Sequence, residues 1–250
     1  MQSPDQMLIT FMKMSNINFD FSSKKVLVFG GSRGIGKEVC NQFLKSGASV
    51  FCASRTKCSL KGVEHFTCDI SSHKDILDVF KKVGSVDFVI NVAGTNLCET
   101  IDNITMDEWD RLMHVNLRSF FATCKEAVKV MKQNNGGRIV NVSSIAGRSK
   151  SVVSGTHYTS SKYGIIGLTK QLANEVSQFN ILVNCVCPSQ TMTEMLSESM
   201  NKEQIQELQY RIPIRRIATT TEQALPILFL CSDAASYITG TAIDINGGQF

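Results

Sequence analysis

A glycine-rich turn, Gly30-Gly31-Ser32-Arg33-Gly34-Ile35-Gly36, joins an apolar run at 25–29 to a segment whose Val39, Phe43 and Leu44 recur at helical spacing. Strand, tight turn and helix in that order open a βαβ unit, and few folds begin this way. Glycines at 30, 34 and 36 let backbone N–H groups approach a pyrophosphate closely. The helix that follows turns its positive end toward the same anion. A glycine-rich turn alone is often only a tight loop. Its place between a strand and a helix is what makes it a phosphate cradle.

The alternation continues to the end of the chain. Further strands are expected at 49–53, 65–68, 86–91, 138–143, 181–187 and 241–245, with long helices at about 106–132 and 157–178. Near-continuous apolar strands imply a parallel sheet covered on both faces. The expectation is an α/β fold: one doubly wound, Rossmann-type domain of about seven strands over 24–250, behind a loosely ordered extension at 1–23. A length of 250 residues suits one such domain. The net charge of +4 comes from scattered basic residues, so no nucleic-acid surface is expected. No run approaches the ~20 apolar residues of a membrane span, and no leader pattern is seen, which predicts a cytoplasmic protein. The nine cysteines include no CxxC pair. Cys52, Cys68, Cys185 and Cys187 sit in apolar runs and read as reduced, buried thiols rather than metal ligands.

Tyr158 and Lys162 stand four apart, one turn along a helix, hence on one face. A phenol with a reference pKa near ~10 is poorly matched to proton transfer at neutral pH. A neighbouring ammonium favours the phenolate and corrects that mismatch. Such pairs are common by chance, and the weight here comes from the pair's position behind a phosphate turn. The second strand ends Cys52-Ala53-Ser54-Arg55 and lacks the acid that holds a ribose 2′-hydroxyl. Ser32, Arg33, Ser54 and Arg55 instead offer hydroxyls and cations to a 2′-phosphate, which predicts NADP(H).

These motifs resemble the short-chain dehydrogenase/reductase family over about 24–250. The turn is similar to that family's T-G-x-x-x-G-x-G, with Phe29 in place of Thr. The resemblance implies that Ser144 bonds the substrate oxygen, with Ser143 as fallback, and that Asn116 positions a water linking Lys162 to solvent. It places Gly30, Ser32, Arg33, Gly34, Ile35 and Gly36 at the pyrophosphate, and Asp69 and Ile70 beside the adenine. Asn91, Ala93 and Gly94 fall in the family's N-N-A-G turn, with Val92 for the second Asn. Pro188, Thr191 and Thr193 match the segment that holds the nicotinamide carboxamide, although Ser189 replaces Gly there. A substrate lid is implied at about 192–212, and Asp244-Ile245-Asn246-Gly247-Gly248 resembles a segment found at subunit interfaces, so a homotetramer or homodimer is expected.

The implied activity is hydride exchange between a nicotinamide and a small-molecule carbonyl or secondary alcohol, acyl thioesters included. The general likeness is to 3-oxoacyl-[acyl carrier protein] reductases, although Gln178-Phe179-Asn180 lacks a basic residue where the acidic carrier would dock, which leaves Lys129 and Lys132 on the preceding helix to contribute. The alternatives are a sugar or secondary-alcohol dehydrogenase and a non-catalytic NADP(H)-binding regulator. The regulator would usually lack Tyr, Lys or Ser, and all are present. His157 is read as a surface or pocket-wall residue, and Trp109 as a packing residue.

Overall fold

A computed structural model describes residues 18–151, 154–194, 196 and 201–250. Among them, seven strands form one sheet: β1 (Lys25–Phe29), β2 (Ser49–Ser54), β3 (Val63–Thr67), β4 (Phe88–Asn91), β5 (Gly137–Val142), β6 (Ile181–Pro188) and β7 (Ala242–Ile245). Their order is β3-β2-β1-β4-β5-β6-β7, and every pairing is parallel. The chain steps outward from β1 to β3, returns beside β1 as β4, and steps the other way. The turns after β1 and β4 therefore meet at the switch point, where such sheets leave a crevice.

The flanking helices are α1 (Gly34–Lys45), α2 (His73–Val83), α3 (Met106–Met113), α4 (Ser119–Gln133), α5 (Thr156–Val176), α6 (Lys202–Tyr210) and α7 (Thr220–Cys231). Side chains alternate across a strand, so β1 feeds both faces. Val26 and Val28 pack with Val39 and Phe43 of α1 and Ile227 of α7. Leu27 and Phe29 pack with Phe80 of α2, Met131 of α4 and Val176 of α5. That two-sided demand is why these strands read as continuous apolar runs.

A line of polar groups crosses this apolar interior. Asn91 and Asn141 are register partners in β4 and β5, and Asn91 Nδ2 donates to Asn141 Oδ1 at 2.8 Å. Asn141 Nδ2 donates to Thr169 Oγ1 of α5 at 3.0 Å, and that hydroxyl donates to Ile165 O at 2.8 Å.

Several boundaries differ from expectation. The third strand begins at Val63 and the fourth at Phe88, and the expected helix at 106–132 is interrupted. Its α3 half ends at Met113, a wide π-type turn occupies His114–Arg118, and α4 follows. The packed chain also begins before residue 24. Phe21 is buried, its ring 5.1 Å from that of Phe43 and 5.4 Å from that of Phe88. The rest of the expected extension, 1–17, lies outside the described residues, as does part of the expected lid. Within that lid, Leu208 and Ile212 pack with Ile217, Leu196 and Ile205. No helix among the described residues is long and apolar enough to cross a membrane.

Candidate active site

The glycine turn is tight for a steric reason. Gly30 has φ +94°, and a Cβ there would stand 2.6 Å from Ala93 N. A Cβ on Gly36 would stand 2.2 Å from Gly30 O. The β1 turn, the β4 turn and the start of α1 thus touch backbone to backbone. Arg33, the N-cap of α1, makes no side-chain cap bond, and the first turn carries no acid. Nothing in that turn competes with an anion for the helix N-terminus. Cys40 and Cys52 pack directly under Gly31. A hydrogen bond from Cys40 pushes the Cys52 thiol down to about 6, and the same bond raises that of Cys40.

At the end of β2, Arg55 and Arg33 are exposed and Ser32 is half-buried. Ser54 departs from expectation. It is buried, and its hydroxyl donates inward to Thr56 O at 2.8 Å, with His65 Nε2 3.3 Å away. Its hydrogen is therefore already held, because a hydroxyl donates only once. Asp69 Oδ1 accepts from Ser71 N at 2.9 Å and Ser71 Oγ at 2.7 Å, bonds that hold its carboxyl below the usual range, with Arg55 adding to the effect. Ile70 packs on the apolar cluster of α2. Asn91 points into the sheet, toward Asn141, and shapes the strand end rather than lining the crevice. Thr193 lies against Gly34, which brings the segment after β6 to the phosphate turn. Thr191 pairs with Ala218, and Pro188 closes β6 beside Ile245.

The four residues expected to carry chemistry come from three places, and Asn116, Tyr158 and Lys162 are brought together around Gly94 and Ser161. Asn116 lies in the π-type turn, fully buried. Its Oδ1 accepts from Thr95 N and its Nδ2 donates to Thr95 O, both at 2.8 Å. The same Nδ2 reaches Ser161 Oγ at 3.3 Å, and Ser161 Oγ donates to Tyr158 O at 2.7 Å. Extra turns of this kind often mark functional sites because they re-aim one side chain without ending the helix. Lys162 is buried, and its Nζ donates to Val142 O at 3.1 Å and lies 5.5 Å from the Tyr158 ring centre. Gly94 lies between the two: a Cβ there would be 3.4 Å from Asn116 Oδ1 and 3.8 Å from Lys162 Nζ.

The two candidate serines separate cleanly. Ser143 is buried and donates to Lys162 O at 2.8 Å. Ser144 is half-buried and its Oγ accepts from Ala146 N at 3.1 Å. Accepting leaves the Ser144 hydrogen for an oxygen in the crevice, whereas the Ser143 hydrogen is already engaged. Two contributors were missed in the sequence. Ser161 links Asn116 to the Tyr158 turn, and its place three residues after Tyr158 was a signal. His157 is fully buried, which excludes the surface half of its expected role, and nothing local in the sequence announces that.

A family model described as enoyl-(acyl carrier protein) reductase matches residues 30–249. An acetoacetyl-CoA reductase from an Acinetobacter strain is 32% identical over 244 residues, 91% of this chain and 98% of that protein. A 3-oxoacyl-[acyl-carrier-protein] reductase from Aquifex aeolicus is 32% identical over 91% of this chain and 97% of its own. Among solved structures, the ligand-free aldohexose dehydrogenase of Thermoplasma acidophilum superposes with a TM-score of 0.85 at 30% identity, covering 91% of this chain and 94% of that one. A short chain dehydrogenase from Leptospira borgpetersenii with bound NAD+ gives 0.85 at 29% identity, over 92% and 94%.

Proposed function

The chain belongs to the short-chain dehydrogenase/reductase family of oxidoreductases, and from that premise we propose that it reduces 3-oxoacyl thioesters with NADPH. The observation that supports the reading is that Lys162 Nζ lies 5.5 Å from the Tyr158 ring centre while Asn116, through Ser161, ties the Tyr158 turn, with Ser144 following β5 nearby in the chain. The residues present fit a dinucleotide. Gly30 and Gly36 leave room for backbone donors at a pyrophosphate, and the α1 N-terminus is uncapped by side chains. When bound, NADPH supplies the hydride.

The protein's own groups do the rest. Ser144 donates a hydrogen bond to the substrate carbonyl oxygen and polarises it. Tyr158 gives that oxygen its proton. Lys162, fixed at Val142 O by one of its three N–H groups, has two left for the nicotinamide ribose and the Tyr158 oxygen. Asn116 holds Thr95 and, through Ser161, the backbone of the Tyr158 turn, and so sets the geometry of the proton path. Thr191 and Thr193 hold the carboxamide, and Asp69 and Ile70 lie beside the adenine.

The preference for NADP(H) rests on Ser32, Arg33 and Arg55, with no carboxylate at the end of β2. Ser54 supports that end through Thr56 instead of reaching the phosphate. Each lost charged hydrogen bond should weaken NADPH by roughly 1.5–3 kcal/mol. Titrating both cofactors onto wild type and Arg55→Ala tests this; equal wild-type affinity for NADH and NADPH would overturn it. Substrate class is tested by NADPH oxidation against acetoacetyl thioesters, keto-sugars and simple ketones, with the thioester expected to be turned over fastest. A sugar dehydrogenase is the second reading, favoured by the likeness to the aldohexose enzyme, and faster turnover of keto-sugars would select it.

A further inference from the structure

We propose that His157 is a positioning residue for Tyr158: its imidazole takes the place of the missing N-terminal cap of α5 and fixes the turn that carries the phenol. The inference rests on the catalytic reading of Tyr158 given above.

The first four N–H groups of a helix have no partner within it. In α5 those belong to Gly155, Thr156, His157 and Tyr158, and the first intrahelical bond runs from Thr159 N to Gly155 O at 3.2 Å. Helices are usually capped here by a Ser, Thr, Asp or Asn oxygen. The N-cap of α5 is Gly155, which has no side chain to offer. Two substitutes stand in. Gly155 N donates to Leu97 O at 3.1 Å, and Tyr158 N donates to His157 Nδ1 at 3.0 Å.

An accepting Nδ1 requires the tautomer with its proton on Nε2. That Nε2 is buried and has no hydrogen-bond partner among the described residues. A fully buried imidazole with one unsatisfied donor is costly, and a packing role alone would be better filled by an apolar side chain. What the ring provides that an apolar residue cannot is the acceptor for Tyr158 N–H. Its place is also fixed from outside. A Cβ on Gly155 would stand 2.7 Å from His157 Cε1 and 2.8 Å from Glu99 O. The ring edge and Glu99 O thus both crowd the Gly155 position, and only glycine there leaves space for the ring. Thr95, just upstream, is the residue clamped by Asn116. His157 and Asn116 therefore brace the Tyr158 turn through its amide and, via Ser161, its carbonyl.

The test uses the full chain with three variants. His157→Leu fills a similar volume and removes both ring nitrogens. His157→Asn restores an acceptor near the Nδ1 position. Tyr158→Phe is the control for the catalytic reading. Amide exchange is followed on 15N-tyrosine-labelled protein, which has four tyrosines to resolve. His157→Leu should speed exchange at the Tyr158 amide, lower kcat by about tenfold or more, and leave NADPH affinity and melting temperature near wild type. His157→Asn should bring both exchange and kcat back toward wild type. A merely structural histidine would lower the melting temperature and kcat together, with no rescue by Asn, and that result overturns the proposal. Unchanged Tyr158 exchange in His157→Leu also overturns it. If Tyr158→Phe stays active, the catalytic reading has failed, while the exchange measurement still decides whether His157 is the cap.

Discussion

Tyr158→Phe removes one hydroxyl and keeps the ring, so α5 should pack as before. If that hydroxyl is the proton donor, turnover should fall ~10² to 10⁴-fold, the range typical of general acid catalysis, with NADPH binding unchanged. Retention of more than about a tenth of wild-type turnover would sink the assignment. Lys162→Ala should separate from it, because Lys162 Nζ also holds Val142 O, lies beside Gly94 and is the group proposed to bond the nicotinamide ribose. That variant should lose turnover and weaken NADPH together. Fluorescence titration and absorbance assays on the two proteins distinguish the patterns. Ser144 and Ser143 offer a parallel contrast. The sequence alone left Ser143 as a fallback, and what favours Ser144 is that the Ser143 hydrogen is already engaged, a matter of three-dimensional contact with Lys162 O.

The elements differ in how far their sequences announce them. β1 and β6 are apolar on both faces and bounded by turn residues, so their existence was plain from the chain. The π-type turn at His114–Arg118 was not, because its residues keep helical composition and the contacts of Asn116 with Thr95 and Ser161 come from distant parts of the chain. The surface half of the His157 reading fails, because its full burial is set by tertiary packing that the neighbouring residues in the chain do not announce. The start of α7, by contrast, carries a capping box of Thr219 and Glu222 that can be read directly. Arg216 adds a two-pronged bond to Glu222 at 2.7 and 2.5 Å and, as the largest cause, holds its carboxyl down to about 2. A carboxyl depressed in the folded state contributes stability above its unfolded pKa of ~4.3 and loses it as pH falls toward 2. Glu222 is 40% exposed, so solvent screening limits the contribution to about 1 kcal/mol. Glu222→Gln should therefore lower the melting temperature at pH 7, and the gap to wild type should close by pH 2–3. A gap that persists undiminished in acid would show that the charge is not its source.

At the scale of the whole molecule, all nine cysteines are unpaired, and Cys98 alone is exposed. The folded chain should release one thiol quickly to a soluble disulfide reagent and nine in denaturant. Two or more fast thiols would mean that the cluster under the phosphate turn opens readily. NADPH should also stabilise the fold by mass action, ~2.7 kcal/mol at a hundred times its Kd, equivalent to about 5–10 °C for a chain of this size. NADH at the same concentration should do less, and an equal shift would contradict the cofactor preference. The line from Asn91 through Asn141 to Thr169 has a consequence for how the sheet assembles. Val and Ile neighbours in a parallel sheet are nearly interchangeable, and a strand that slid along its partner would find similar grease at the next position. A slip of one residue would turn the amide of Asn141 to the opposite side of the sheet, strand it in hydrocarbon and leave Asn91 unanswered. The two asparagines therefore act as an index mark: they make every misaligned β4–β5 pairing worse, so that the crevice forms at one offset only.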